Sequence, residues 1–308
     1  AKKPGQQTTP SALERCKYTE ARAPFKPDQP DKTGIKVTFA DATQAAFGSS
    51  ANNFHGPVGL LDINHSGQND LFVVEGTDGF RVLTNANGVF EPLGERLPGV
   101  AGGGYGACLV GDLNNDRYED VLVLGEKASH VFKFATNGAA REITPATGLK
   151  NLTATKGLLA DLDFSGKLGL LAITPITNSV RVFRNLGNSY FSETTKTSGV
   201  PATVTGVRQV ALDDWNGDDL LDLFLTRDGQ PPLLLPKERG GPLTPTNSPA
   251  NWPTGSALSV GDLNNDFRND LVVATADAIE VIVSGAPDKT RLPTGGWAAR
   301  TLPLVDYD

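Results

Sequence analysis

The 308-residue sequence has no methionine, two cysteines, three histidines and three tryptophans. Cys16 and Cys108 allow one disulfide or two separate thiols, and the sequence does not decide between them. His55, His65 and His130 form no zinc motif, and no serine or cysteine stands in a recognisable nucleophile context. There is no phosphate-binding loop of the P-loop kind. The absence of a Lys/Arg-rich cluster argues against nucleic acid as a partner, because phosphate binding needs a concentrated basic footprint. No apolar run approaches the roughly 20 residues of a membrane span, and no long segment spaces its apolar residues as a helix does. A start without methionine is compatible with a processed N-terminus and a removed signal peptide.

What is present points to an all-β chain. The 34 glycines and 21 prolines supply many turns, and 39% hydrophobic residues suffice for a sizeable core. A net charge of −7 makes a cation the natural counterpart of the surface.

Internal repetition is the strongest signal. Residues 60–74, 110–124, 159–173, 212–226 and 260–274 each read as an apolar run, an Asp-rich loop and a second apolar run, and a sixth copy begins at 304–308. The first loop aspartate falls at 62, 112, 161, 214, 262 and 306, so the intervals are 50, 49, 53, 48 and 44 residues. After each loop comes a second strand-like stretch, such as Val180-Arg-Val-Phe, and then a third, such as Tyr190-Phe-Ser-Glu. A period near fifty with several short strands per copy predicts a β-propeller of four-stranded blades. Residues 1–34 read as a polar tail or linker, and 35–308 as the propeller, which begins partway through a blade and stops inside its sixth loop.

Each loop has nine positions, with oxygen side chains at 1, 3, 5 and 9. Alternating hard oxygen ligands in a tight turn suit calcium, while magnesium demands stricter octahedral geometry. The candidate ligands are Asp62, Asn64, Ser66 and Asp70 in loop one, and Asp112, Asn114, Asp116 and Asp120 in loop two. Loop three offers Asp161, Asp163 and Ser165 but has Gly169 at position 9, so it is expected to bind weakly or stay empty. Loop four offers Asp214, Asn216, Asp218 and Asp222, loop five Asp262, Asn264, Asp266 and Asp270, and the truncated sixth Asp306 and Asp308. Asp, Asn and Gly are also ordinary turn residues, so one loop alone could be a metal-free Asx-turn. Position 6 is glycine only in loops one and three; Arg117, Asp219 and Phe267 elsewhere do not favour the left-handed backbone.

These loops resemble the FG-GAP/VCBS repeat family, which includes the integrin α-subunit propeller. Val182-Phe-Arg-Asn-Leu-Gly-Asn-Ser-Tyr-Phe-Ser-Glu-Thr-Thr and Val82-Leu-Thr-Asn-Ala-Asn-Gly-Val-Phe-Glu are similar to the bacterial branch found beside ASPIC/UnbV domains. The resemblance covers about residues 35–308 and implies a propeller of about six to eight blades with calcium in rim-facing loops. It also implies extracytoplasmic placement, secreted, periplasmic or on the cell surface, and roles in adhesion or assembly.

Three functions follow for testing. The first is a non-catalytic calcium-binding module that engages a protein partner in an extracytoplasmic assembly. The second is a glycan-binding lectin, although Trp215, Trp252 and Trp297 occupy no equivalent repeat positions and are expected in the core. The third is a polysaccharide lyase or hydrolase, for which no catalytic constellation is visible. His55 and His130 are expected to titrate at the surface. Gly102-Gly-Gly-Tyr-Gly106 reads as a strand entering a crowded centre rather than a phosphate cradle.

Overall fold

The computed structural model of the chain describes residues 40–135, 137–286, 289–296 and 302. The tail 1–34, Cys16, Trp297, Asp306 and Asp308 lie outside the described residues. The stretch 35–43, strand-like in sequence, is described only from Ala40, where it is coil leading into the short helix α1 (Thr43–Phe47).

Five antiparallel sheets follow, each a meander in chain order. The first holds β1 (Phe54–Leu61), β2 (Asp70–Glu75), β3 (Gly79–Ala86) and β4 (Val89–Pro98). The second holds β5 (Tyr105–Gly111), β6 (Asp120–Gly125), β7 (His130–Phe134) and β8 (Ala140–Glu142). The third holds β9 (Lys156–Ala160), β10 (Gly169–Ile173), β11 (Val180–Asn185) and β12 (Phe191–Glu193). The fourth has three strands, β13 (Val207–Asp213), β14 (Asp222–Arg227) and β15 (Gln230–Leu235). The fifth holds β16 (Ala257–Gly261), β17 (Asp270–Ala274), β18 (Ala278–Ile282) and β19 (Lys289–Pro293). The innermost strands β1, β5, β9, β13 and β16 touch one another in succession, which arranges the sheets as blades of a β-propeller.

The blades cohere because the second strand of each buries both faces. On β10, Leu170 and Ala172 pack with Leu122 and Leu124 of the preceding blade, while Leu171 and Ile173 pack with Leu223 and Leu225 of the next. The strand's alternating faces therefore serve two different cores, which is why these runs are apolar throughout. Each buried Leu, Ile or Phe contributes about 1.5–3 kcal/mol by leaving water. On the outer face of the first blade, Leu71, Val73 and Leu83 are covered by Phe47, Phe54 and Phe90. Trp252 is buried against Phe224 and Leu258, with Trp215 packed beside it at 5.4 Å between ring centroids.

Blade four departs from the repeat. Its expected outer strand is an irregular segment that bonds back to β15 through Thr244 N–H to Pro236 O (2.8 Å) and Thr246 N–H to Leu234 O (3.0 Å). Pro242, Pro245 and Pro249 lack the N–H groups that a regular ladder needs. Near the centre, a Cβ on Gly106 would lie 2.3 Å from Thr155 O in the next blade, so the glycine permits close approach of two inner strands.

Candidate metal loops and an inter-blade cavity

All five described loops share one register. The last residue of the inner strand pairs with loop position 9: Leu61 with Asp70, Gly111 with Asp120, Ala160 with Gly169, Asp213 with Asp222 and Gly261 with Asp270. Positions 1–8 thus form a closed hairpin loop, and position 9 opens the buried second strand.

The position-1 carboxylate organises each loop by accepting N–H groups from positions 5 and 6. Asp62 takes those of Ser66 (2.9 Å) and Gly67 (2.7 Å), and Asp112 those of Asp116 (3.1 Å) and Arg117 (2.8 Å). Asp161, Asp214 and Asp262 repeat the pattern. Position 3 then caps position 5, as Asn216 does for Asp218 N–H (3.0 Å), and position 5 caps position 7, as Asp218 does for Leu220 N–H (2.9 Å). The backbone is left-handed at positions 4 and 6 in every loop, including Arg117 (φ 73°), Asp219 (φ 65°) and Phe267 (φ 65°). The missing glycines therefore do not change the turn.

Position 9 is fully buried in four loops, at Asp70, Asp120, Asp222 and Asp270. One oxygen accepts the N–H of position 2: Ile63 (3.0 Å), Leu113 (3.1 Å), Trp215 (3.1 Å) or Leu263 (3.0 Å). In Asp70, Asp222 and Asp270 the other oxygen accepts a backbone N–H just beyond the third strand's core, from Asn85 (2.8 Å), Lys237 (2.7 Å) or Ser284 (2.8 Å). Asp120 differs, because its Oδ1 is buried without a hydrogen-bond partner. Burial pushes its carboxyl up to about 6 against the opposing bonds from Leu113 and Asn114, and the Asp116 charge adds to the rise. Burial likewise raises the Asp222 carboxyl, with Asp218 and Asp214 adding to the rise.

That environment tests the fit of a cation. The side chains at positions 1, 3, 5 and 9 offer oxygen ligands, their carboxylates crowd one another, and one buried oxygen has no bond; a hard divalent ion would answer each condition. Among the described residues, no group of three or more His, Cys, Asp or Glu side chains is arranged to hold a metal. Loops one, two, four and five place Asn at position 3, and loop one has Ser at position 5.

Neighbouring loops are also joined. Glu119 accepts the Asp62 N–H (3.1 Å), Asn115 donates to Gly166 O (2.9 Å), and Asn269 donates to Asp213 (2.7 Å) and Asp214 O (2.6 Å). These bonds link blade one to two, two to three, and four to five.

A cavity of about 880 Å³ opens between blades three and four. Leu162, Val182, Leu220 and Leu243 line its apolar part, and Phe164 of loop three stands 57% exposed on its wall. The turn at 237–243 forms the opposite side, and the Leu243 N–H donates to Ser198 O (2.8 Å), tying that turn to blade three.

A family model described as an FG-GAP-like repeat matches residues 62–123 and 214–273. The chain carries FG-GAP-like repeats. Each match begins at the position-1 aspartate, Asp62 or Asp214, and ends within the apolar strand that follows a later loop. No curated protein matches the chain. Two solved lectins share the propeller architecture. One is from Agrocybe aegerita, described as recognising non-reducing terminal N-acetylglucosamine (15% identity, TM-score 0.54, 78% of this chain and 68% of that one). The other is BP39L from Burkholderia pseudomallei (15% identity, TM-score 0.52, 78% and 71%).

Beyond the FG-GAP-like loops, the structure corrects one histidine. His55 is exposed, but His130 is buried, with Nδ1 2.9 Å from Glu142 and Nε2 3.2 Å from the Tyr105 hydroxyl. The strand register equates His130 with Arg181 of the next blade, which pairs with Glu193 in the same way. His130 thus takes the arginine's place in a recurrent cross-strand contact with glutamate. Among the described residues Cys108, on β5 and packed against Gly59, has no disulfide partner. Among the described residues, no helix is long and apolar enough to cross a membrane.

Proposed function

We propose that this chain is a non-catalytic, calcium-binding propeller that acts as an extracytoplasmic interaction or scaffold module. The observation that carries this reading is the common loop geometry, maintained at Arg117, Asp219 and Phe267 despite their left-handed backbone. Holding such residues there costs on the order of 1 kcal/mol each, so the loop shape itself is what persists. Calcium in loops one, two, four and five would be held by positions 1, 3 and 5, with position 9 behind them. It supplies charge neutralisation, and the loop residues do the rest by fixing the turn between inner and second strands. Loop three lacks the closing carboxylate and takes calcium weakly or not at all. Exposed Phe164, Leu263 and Phe267 on the loops give a partner apolar surface to engage.

The test is elemental analysis of the purified protein, followed by thermal unfolding with calcium and with chelator. A ligand bound only by the folded state raises the melting temperature with its concentration. A saturable rise with bound calcium supports the reading, and a metal-free protein with no shift overturns it.

A second reading, glycan binding, is favoured by the cavity between blades three and four and accords with the two lectin neighbours.

A further inference from the structure

Blade three breaks the repeat in two ways that meet at one place. Gly169 replaces the buried closing aspartate, and Phe164 stands at loop position 4, where the other loops have His65, Asn115, Gly217 and Asn265. Glycine and asparagine tolerate the left-handed backbone of that position well, whereas a bulky aromatic does not. Phe164 nevertheless adopts it (φ 55°) and keeps 57% of its surface exposed. Neither core packing nor turn preference accounts for it.

Its surroundings do. Phe164 lines the cavity of about 880 Å³, within the ~300–1,000 Å³ typical of small-molecule sites. The cavity exists because blade four replaces its outer strand with the turn at 237–243, anchored to blade three through Leu243 and Ser198. Its charged lining consists of Asp163, Asp219 and Glu238 against Arg184, Lys237 and Arg239, so acids and bases balance. Asp163 and Arg184 form an ion pair, which presents acceptors and donors side by side. A balanced rim does not select an ion. It suits a ligand that needs both donors and acceptors and has an apolar face to lay on an aromatic ring.

We propose that this seam is a binding site for a neutral carbohydrate, with Phe164 as the stacking platform and the Asp163–Arg184 pair, Asp219 and Lys237 bonding its hydroxyls. The proposal rests on the glycan-binding reading and locates it at one seam among the five described blades.

The test presents the whole chain to an array of neutral and acidic oligosaccharides, and titrates any hit by calorimetry. Binding of neutral glycans is expected, weakened at least tenfold in Phe164→Ala and retained in Phe164→Trp. Ile176→Ala, at an exposed turn outside the cavity, should bind as the parent does. Unchanged melting of Phe164→Ala shows that the loss is not unfolding; should that variant unfold, Arg239→Ala at the exposed rim is read instead and should weaken binding. Glycan binding that both Phe164→Ala and Arg239→Ala leave intact overturns the site while leaving the lectin reading standing. Binding of acidic glycans alone overturns the ligand class, and no binding at all overturns both.

Discussion

The Lys133 ammonium on β7 lies 2.7 Å from Oδ2 of Asp116, position 5 of the second loop. One blade on, Arg184 occupies the same place on β11 and pairs with Asp163. Burial alone would raise the Asp116 carboxyl, but the Lys133 and Tyr118 bonds outweigh it and hold it below its usual range. Thr84, Pro236 and Val283 stand at this position in the other blades. Of the five described loops, two thus pair a carboxylate with a cation at this third-strand position, and three do not.

The first prediction follows from that division. A calcium ion entering loop two must displace Lys133, whereas loops four and five present no such competitor. Lys133→Met should tighten calcium binding at that loop by up to about fivefold, matching the ~1 kcal/mol of an exposed ion pair. Calorimetric titration of calcium into chelator-stripped protein measures this, and unchanged affinity would show that Lys133 swings away freely.

The second concerns Asp120. Its ordinary value, kept in the unfolded chain, is 3.8, and burial in the fold pushes it up to about 6. Between those values the folded state holds a proton that the unfolded state has released. Stability therefore declines as pH rises from about 4 to about 6 and stays at its lower level above that. The contribution is on the order of 3 kcal/mol, from ~1.4 kcal/mol per pH unit. With chelator present, Asp120→Asn should be more stable than the parent at pH 7 and should lose most of that advantage at pH 4. Urea unfolding at several pH values gives the comparison, and parallel curves for parent and variant would refute the assignment.

The third separates architecture from metal. Asp70 accepts the N–H groups of Ile63 and Asn85, so its role in the turn is a protein–protein one. Asp70→Ala should cost about 3–5 kcal/mol in chelator, because two N–H groups lose a charged acceptor. Denaturant unfolding checks it, and a loss appearing only with calcium would reverse the interpretation.

The shared loop turn was legible because alternating Asp and Asn at fixed spacing leave a side-chain signature in every copy. The cross-brace from position 9 was not, because its far end is a backbone N–H about 15 residues on, carried equally well by Asn85, Lys237 or Ser284. A backbone donor leaves no trace in residue type. The blade period was likewise readable from the loops, while the irregular edge of blade four depended on prolines whose effect appears only beside β15. The cavity could not be read from the chain, since Phe164 and the 237–243 turn meet only when two blades are packed.

The last prediction concerns Gly169, which reads in sequence as a lost ligand. In the structure a Cβ there would lie 2.8 Å from Phe183 O and 3.4 Å from Ala160 O. Asn185 donates to Leu168 O (3.1 Å) and accepts the Gly187 N–H (2.9 Å), much as Asn85 does in blade one, and adds a bond to Leu113 O (2.8 Å). The close approach of the Phe183 carbonyl leaves a side chain at 169 no room without a shift, so restoring the aspartate should not restore a site. Gly169→Asp is expected to lower stability by about 1–3 kcal/mol, the usual cost of forcing atoms into a packed interior. Its calcium stoichiometry should equal that of the parent. Calorimetry and elemental analysis of the variant decide the matter, because one additional bound ion with no loss of stability would mean that loop three is an interrupted calcium site rather than a repurposed wall.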